Sequence, residues 1–340
     1  MAASRILLFP DCGHDVGGGH VMRCLTLARA LTARGATCAF VAPPMVRSVL
    51  QTFGGEGIEA LAVPEAAPEV LTRQVAALAE AYVPDWVVID HYRLQPRRES
   101  GLRAPGRRLM MIDDLGRTHD CDLLLDPGYG RAPDDYLGLV PPNAILLTGP
   151  SYALVRPEFA QARPGALVGR NGAPVRRVLL MLGLTDLGGL TGRVAQALLP
   201  VLGDVRLDIA LGATACSLAS LKSLNDPRVS LHVDATDMAR LMSEADLAIG
   251  AGGSSLWERA CLGLPGVTLI LADNQRDLAL RMAADGLTLA VEAGAPGWKG
   301  QLTATVSALA RDAAQRSDMS ARLAALCDGL GAERAAEAML

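Results

Sequence analysis

Short apolar runs alternate along the chain with longer stretches whose apolar residues recur every three or four positions, and the alternation starts over midway. In the first half, the runs at residues 6–9, 37–42, 86–90, 109–112 and 123–125 read as strands, while 21–34 and 69–81 carry helical spacing. In the second half, 178–182, 206–211, 229–233, 247–249 and 267–271 read as strands, and 192–199, 237–245 and 255–262 as helices. From about residue 302 onward the chain is Ala-rich and helical. Strand–helix alternation predicts an α/β fold with parallel sheets covered by helices on both faces. Such sheets bind ligands beyond the carboxyl ends of their strands. Several predicted strands run into polar residues there: Asp11, Asp90, His91, Asp113, Asp114 and Asp126.

The 340 residues exceed a single compact core and predict two domains. Residues 163–177 hold Pro164, Gly165, Gly169, Gly172 and Pro174 among several arginines. That composition reads as a linker between an N-terminal domain (1–162) and a C-terminal domain (178–340), the last helix being placed to pack back on the first domain. Two similar halves predict a cleft between them.

Composition narrows the function classes. The formal charge of −4 comes from interspersed acidic and basic residues, so no basic face marks a nucleic-acid partner. No apolar run reaches the about 20 residues of a membrane span, and residues 1–8 enter a strand without a signal-peptide pattern. Seven cysteines without paired spacing fit a reduced, cytoplasmic protein. Cys12, His14, His20 and Cys24 lie close in sequence, yet their spacing matches no standard zinc pattern. No metal, no cofactor and a monomer are the expectations.

Two glycine turns carry the candidate chemistry. Gly17-Gly18-Gly19-His20 joins the first strand to the first helix. Such a turn lets backbone N–H groups approach an anion at a helix N-terminus. The stretch lacks the Gly-Lys-Ser/Thr ending of a P-loop and the acidic follow-up of a dinucleotide fingerprint, and it also reads as a plain flexible turn. At the positive end of a helix His20 is expected to be neutral, the form a general base needs. Asp11, at the end of the preceding strand, is the candidate to orient its ring. The second turn is Gly250-Ala251-Gly252-Gly253-Ser254-Ser255-Leu256-Trp257-Glu258. N–H groups of Gly253, Ser254 and Ser255, with the serine hydroxyls, suit a diphosphate, and Glu258 suits ribose hydroxyls. Ser255 and Glu258 also read as a capping box, which needs no ligand. Ala272-Asp273-Asn274-Gln275 follows the next strand and is expected to face the same cleft. No Gly-x-Ser-x-Gly elbow supports a serine hydrolase.

Val16-Gly17-Gly18-Gly19-His20-Val21-Met22-Arg23, Ile89-Asp90-His91-Tyr92, Ile112-Asp113-Asp114, Cys121-Asp122-Leu123-Leu124-Leu125-Asp126, Ser151-Tyr152-Ala153-Leu154-Val155-Arg156, Gly250 through Glu258 and Ala272-Asp273-Asn274-Gln275 occur in this order. The set resembles the PseG-type UDP-2,4-diacetamido-2,4,6-trideoxy-β-L-altropyranose hydrolases of pseudaminic acid synthesis. The resemblance implies a GT-B fold, related to the MurG glycosyltransferases, with two Rossmann-like domains facing a central cleft. It implies hydrolysis of the sugar–UDP bond by C1–O cleavage with inversion. Carried over, His20 activates water, and Gly17 and Gly19 are among the substrate-binding residues. Gly253, Ser254 and Ser255 hold phosphates, and Glu258 the ribose. Tyr92, Arg156 and Asn274 face sugar or phosphate. One departure is Gly183-Leu184-Thr185-Asp186, where relatives have Gly-Gly-Thr-Asp. A side chain at Leu184 restricts backbone approach to a nucleotide, with consequences for rate or substrate preference. A UDP-sugar glycosyltransferase of the same fold, a non-catalytic nucleotide-sugar binding protein and a UDP-sugar 2-epimerase are the alternatives that the residues leave open.

Overall fold

The structure, a computed structural model, describes residues 3–13, 17–54 and 57–340. His14, Asp15 and Val16 lie outside the described residues, so the expectations placed on His14 and Val16 have no structural counterpart here.

The chain divides into two compact units, residues 1–154 with 330–340, and 155–329. The first holds β1 (Arg5–Pro10), α1 (Gly19–Thr32), β2 (Thr37–Ala42), α2 (Pro44–Phe53), β3 (Glu59–Ala62), α3 (Pro68–Tyr82), β4 (Trp86–Asp90), α4 (Pro96–Ser100), β5 (Arg108–Ile112), β6 (Leu123–Asp126) and β7 (Ile145–Thr148). The second holds α5 (Pro157–Gly169), β8 (Arg177–Met181), α6 (Leu190–Leu198), β9 (Arg206–Leu211), α7 (Leu218–Lys222), β10 (Val229–Val233), α8 (Met238–Glu244), β11 (Leu247–Ala251), α9 (Ser255–Cys261), β12 (Gly266–Ile270), α10 (Asp273–Ala284), β13 (Leu289–Glu292), α11 (Trp298–Arg311) and α12 (Ala313–Leu326). α13 (Gly331–Met339) returns to the first unit.

All strand pairings between named strands are parallel, in the orders β3-β2-β1-β4-β5-β6-β7 and β10-β9-β8-β11-β12-β13. Each sheet therefore reverses its winding once, between β1 and β4 and between β8 and β11. These are the positions where doubly wound sheets place ligands.

In the first sheet the period-2 alternation of strands sorts the core into two layers. Ile6, Leu8, Trp86, Val88, Met110 and Ile112 pack toward α1 together with Ala332, Ala335, Ala336 and Met339 of α13. Leu7, Phe9, Val87, Ile89, Leu109 and Met111 pack on the opposite side with Leu71, Val75 and Ala79 of α3. Trp86 Nε1 donates to the Met339 carbonyl at 3.0 Å, which ties α13 to the central strand. Gly331 starts α13 where a Cβ would sit 2.3 Å from the Ala153 carbonyl oxygen, so only glycine permits that approach.

Residues 163–177, read from composition as a linker, are the end of α5 and a loop into β8. Arginine, not glycine, decides this segment. Arg163 donates to the carbonyls of Cys261, Cys327 and Ala324, and Arg170 to those of Met242, Ala245 and Leu262. Those carbonyls lie at the C-terminal ends of α8, α9 and α12, where unpaired acceptors attract cations. β3, β7 and β13 were not among the predicted strands. Each is a four-residue edge strand with partly exposed positions, so none presents a continuous apolar run.

Candidate functional site

The first sheet ends in four buried aspartates, each in an ion pair with an arginine. Asp11 follows β1 and pairs with Arg93 at 2.8 Å. Asp90 closes β4 and pairs with Arg23 at 2.5 Å. Asp113 follows β5 and pairs with Arg117 at 2.8 Å, and Asp126 closes β6 and pairs with Arg131 at 2.9 Å.

His20 lies in the first turn of α1, buried, behind the Gly17–Gly19 turn. Gly17 adopts φ +74°, a conformation glycine takes without strain, and its N–H bonds the Gly13 carbonyl at 2.8 Å. His20 and Arg23, three apart, share one face of α1 and both reach Asp90. His20 Nδ1 is 2.5 Å from Asp90 Oδ1. Arg23 reaches both Asp90 oxygens at 2.5 Å and also sits 3.0 Å from His20 Nδ1. Its remaining nitrogen binds Asp114 at 2.9 Å. Tyr92 donates to Asp114 at 2.9 Å and meets the His20 ring edge-on, with centroids 4.5 Å apart. Burial works against the Asp90 carboxylate, but the charges and hydrogen bonds of Arg23 and His20 hold it well below the usual carboxylate range. With Asp90 held as a carboxylate, an Nδ1–H donating to it would leave Nε2 as the acceptor, the tautomer that a water-activating base needs. Among the described residues nothing hydrogen-bonds Nε2.

Asp11 does not orient His20, contrary to expectation. It continues the parity of Leu7 and Phe9 and so emerges on the sheet face away from α1. There it meets His91 Nδ1 at 3.3 Å and Arg93. Asp90 continues the parity of Trp86 and Val88, the α1 face. His91 accepts the Arg93 N–H at 3.2 Å, and burial pushes it down to about 4, so it is neutral at pH 7. Further along that face, His119 Nδ1 lies 2.9 Å from Glu99, and Nε2 lies 3.5 Å from Asp113. Burial opposes the imidazolium, but hydrogen bonds to Asp113 and Glu99 outweigh it and lift His119 to about 9. Tyr136 donates to Asp126 at 2.8 Å, and burial pushes Asp126 up to about 6.

The carboxyl edge of the second sheet is built differently. β11 ends at Ala251, and α9 opens at Ser255 with Ser254 as its N-cap residue. Space at Gly253 is open: a Cβ there would meet nothing within 4 Å. The N–H groups of Gly253, Ser254 and Ser255 have no backbone acceptor among the described residues. Glu258, in the first turn of α9, is bound by Arg156 at 2.8 Å, and Arg156 also reaches Glu158 at 3.3 Å. Two residues read separately from the sequence are thus one ion pair. Ser255 and Glu258 form no side-chain cap at this helix start. Asn274 is exposed in the first turn of α10. Leu184 is partly exposed, and its carbonyl accepts the Gly212 N–H at 3.0 Å, where a Cβ on residue 212 would collide at 2.4 Å. Asp186 accepts the N–H groups of Thr191 and Ser217 at 2.7 and 2.8 Å and organises that loop.

Among the described residues no group of three or more His, Cys, Asp or Glu is placed to hold a metal ion, and no helix is long and apolar enough to cross a membrane.

No protein-family model matches the chain. The UDP-2,4-diacetamido-2,4,6-trideoxy-beta-L-altropyranose hydrolase of Campylobacter jejuni is 25% identical over 288 residues, 83% of this chain and 97% of that protein. The spore coat polysaccharide biosynthesis protein SpsG of Bacillus subtilis is 29% identical over 151 residues, 43% of this chain and 44% of that protein. The solved structure of Acinetobacter baumannii MurG matches with a TM-score of 0.69 at 14% identity, covering 99% of both chains. The spinosyn rhamnosyltransferase SpnG complexed with thymidine diphosphate matches with a TM-score of 0.65 at 19% identity, covering 98% of this chain and 100% of that one. The two parallel sheets and these matches make the fold GT-B.

Proposed function

We propose that this chain is a UDP-sugar hydrolase that cleaves the C1–O bond of a UDP-linked diacetamido-trideoxyhexose with inversion, releasing UDP and the free sugar. The observation that carries the reading is the His20–Asp90 pair at the winding reversal of the first sheet. An imidazole held by a carboxylate through Nδ1 is equipped to take a proton from water at Nε2. The substrate class is supported by the similarity to the Campylobacter jejuni hydrolase.

In this reading the base and the diphosphate-holding donors have separate tasks. His20 is the base: it takes one proton of a water molecule as the oxygen attacks the anomeric carbon. The leaving group has its own donors: N–H groups of Gly253, Ser254 and Ser255 and the serine hydroxyls carry the diphosphate charge as the glycosidic C–O bond breaks. Donors fixed in advance toward developing charge are an effective form of transition-state stabilisation. Glu258, steadied by Arg156, offers its carboxylate to the ribose hydroxyls. Tyr92 and Asn274 are the candidates at the sugar.

The test pairs turnover with affinity. His20→Ala is expected to lose ~10²–10⁴ in kcat while binding UDP as the native protein does. Near-native turnover contradicts the assignment. UDP release that begins only when a sugar acceptor is added moves the reading to glycosyl transfer. Binding of UDP-sugar with no release under either condition moves it to a nucleotide-sugar binding protein.

A further inference from the structure

The Asp90 carboxylate serves two partners at once, His20 and Arg23, and the second has no role in the reaction as described. Arg23 takes both Asp90 oxygens at 2.5 Å, one of them the same Oδ1 that His20 uses. The Arg23 Nη2 atom is itself 3.0 Å from His20 Nδ1. Arg23 is almost fully enclosed and spans from Asp90 to Asp114. Burial disfavours its charge, but Asp90 and Asp114 outweigh that and lift it well above the ordinary arginine value, so the guanidinium is a fixed charge.

We propose that Arg23 is a positioning residue that divides Asp90 between itself and His20, so that the Asp90 charge bears less on the ring than it would facing the imidazole alone. The inference rests on the reading of His20 as the base. A carboxylate facing an imidazole alone favours imidazolium, typically by ~1–3 pH units. An imidazolium cannot accept a proton from water. The guanidinium removes much of that bias in two ways. It neutralises Asp90, and it sets a like charge beside Nδ1.

Other groups facing His20 do not replace Arg23. From α1, Cys24 is a buried thiol 3.8 Å from Asp90, and burial raises it well above the usual thiol range, so it stays uncharged. From the end of β4, Tyr92 is pushed up by burial and by Asp114, and His91 is pushed down by burial, so both are neutral. Beyond β5, Asp114 is the other anion, bound by Arg23 and Tyr92. Arg23 is the cation that contacts the ring. Arg93 faces Asp11 on the opposite side of the sheet.

The test is titration of the His20 ring by ¹⁵N NMR in the ligand-free, full-length protein, with the signal assigned by its loss in His20→Gln. Arg23→Met is expected to move the His20 midpoint up by ~1–3 pH units relative to the native protein. Arg23→Lys, which keeps a charge without the fork, is expected to move it less. The acid limb of the kcat–pH profile is expected to follow by the same interval. Asp90→Asn is expected to move the midpoint the opposite way. If Arg23→Met does not fold, Arg23→Lys and Asp90→Asn still supply the two signs. An unmoved midpoint in the folded Arg23 variants, with activity reduced, makes Arg23 a purely structural residue and overturns the proposal. Because the titration needs no substrate, its result is separate from the His20→Ala turnover test.

Discussion

Six strands of the first sheet repeat the order of the second, with β7 added, yet the carboxyl edges of the two sheets differ in chemistry. In the first unit, β1, β4, β5 and β6 each run into a buried aspartate with its own arginine: Asp11 with Arg93, Asp90 with Arg23, Asp113 with Arg117 and Asp126 with Arg131. In the second unit the matching turns hold Gly183 after β8, Gly212 after β9, and Gly252, Gly253 and Ser254 after β11. The buried acid there, Asp186, is spent on the N–H groups of Thr191 and Ser217. A charged edge must be paired to be buried, and pairing fixes proton positions. A glycine and hydroxyl edge leaves backbone donors open to an outside anion. One Rossmann-like framework thus buries paired charges at one edge and leaves backbone donors open at the other.

Breaking the first edge at its centre is expected to have the largest effect. Asp90→Asn removes the carboxylate that His20 Nδ1 and Arg23 both reach. Loss of the carboxylate from a histidine–carboxylate pair costs up to ~10⁴ in kcat, and UDP affinity measured by calorimetry stays near native. A kcat within about tenfold of native removes Asp90 from the account.

The next effect separates the two edges by pH. His119 has a folded-state value of about 9 against an ordinary 6.5. Its contribution is therefore fully present below 6.5 and is lost as pH rises through 9. The shift corresponds to about 3 kcal/mol of unfolding free energy across that window. Urea unfolding followed from pH 6 to 10 checks it, with His119→Gln expected to flatten the curve. An equally steep curve in that variant contradicts the sign argument.

On the second edge, Glu258→Gln is expected to weaken UDP binding about tenfold, the cost of one charge-assisted hydrogen bond. Unchanged UDP affinity assigns Glu258 to the Arg156 ion pair alone. The smallest effect is expected for Asp11→Asn. Asp11 touches His91 and Arg93, not His20, so kcat stays far above the ~10²-fold loss typical of a missing base. A loss on the Asp90 scale would mean that the two faces of the sheet are more tightly coupled than the contacts indicate.

Much of this was legible in the chain. The central strands announce themselves because a parallel strand buried on both faces is apolar throughout, as in Trp86-Val87-Val88-Ile89. The glycine turns were visible from composition, although among their glycines only Gly17 takes a positive φ that favours glycine. The partner of His20 was not, because Asp11 and Asp90 are both strand-end aspartates. Only the pairing of β1 with β4, combined with the parity of each strand, shows which one shares a face with α1. Arg23 was within reach of sequence reasoning, since a residue three after His20 on a helix lies on the same face. The Arg156–Glu258 pair was not, because its members are 102 residues apart and meet only after α5 and α9 pack together.

The most direct test of the central claim is to incubate the protein with the UDP-linked diacetamido-trideoxyhexose in ¹⁸O-water, without acceptor, and to weigh both products. Attack by a His20-activated water at the anomeric carbon puts the label in the free sugar and none in UDP. Label in the UDP phosphate places the attack at phosphorus and contradicts the account.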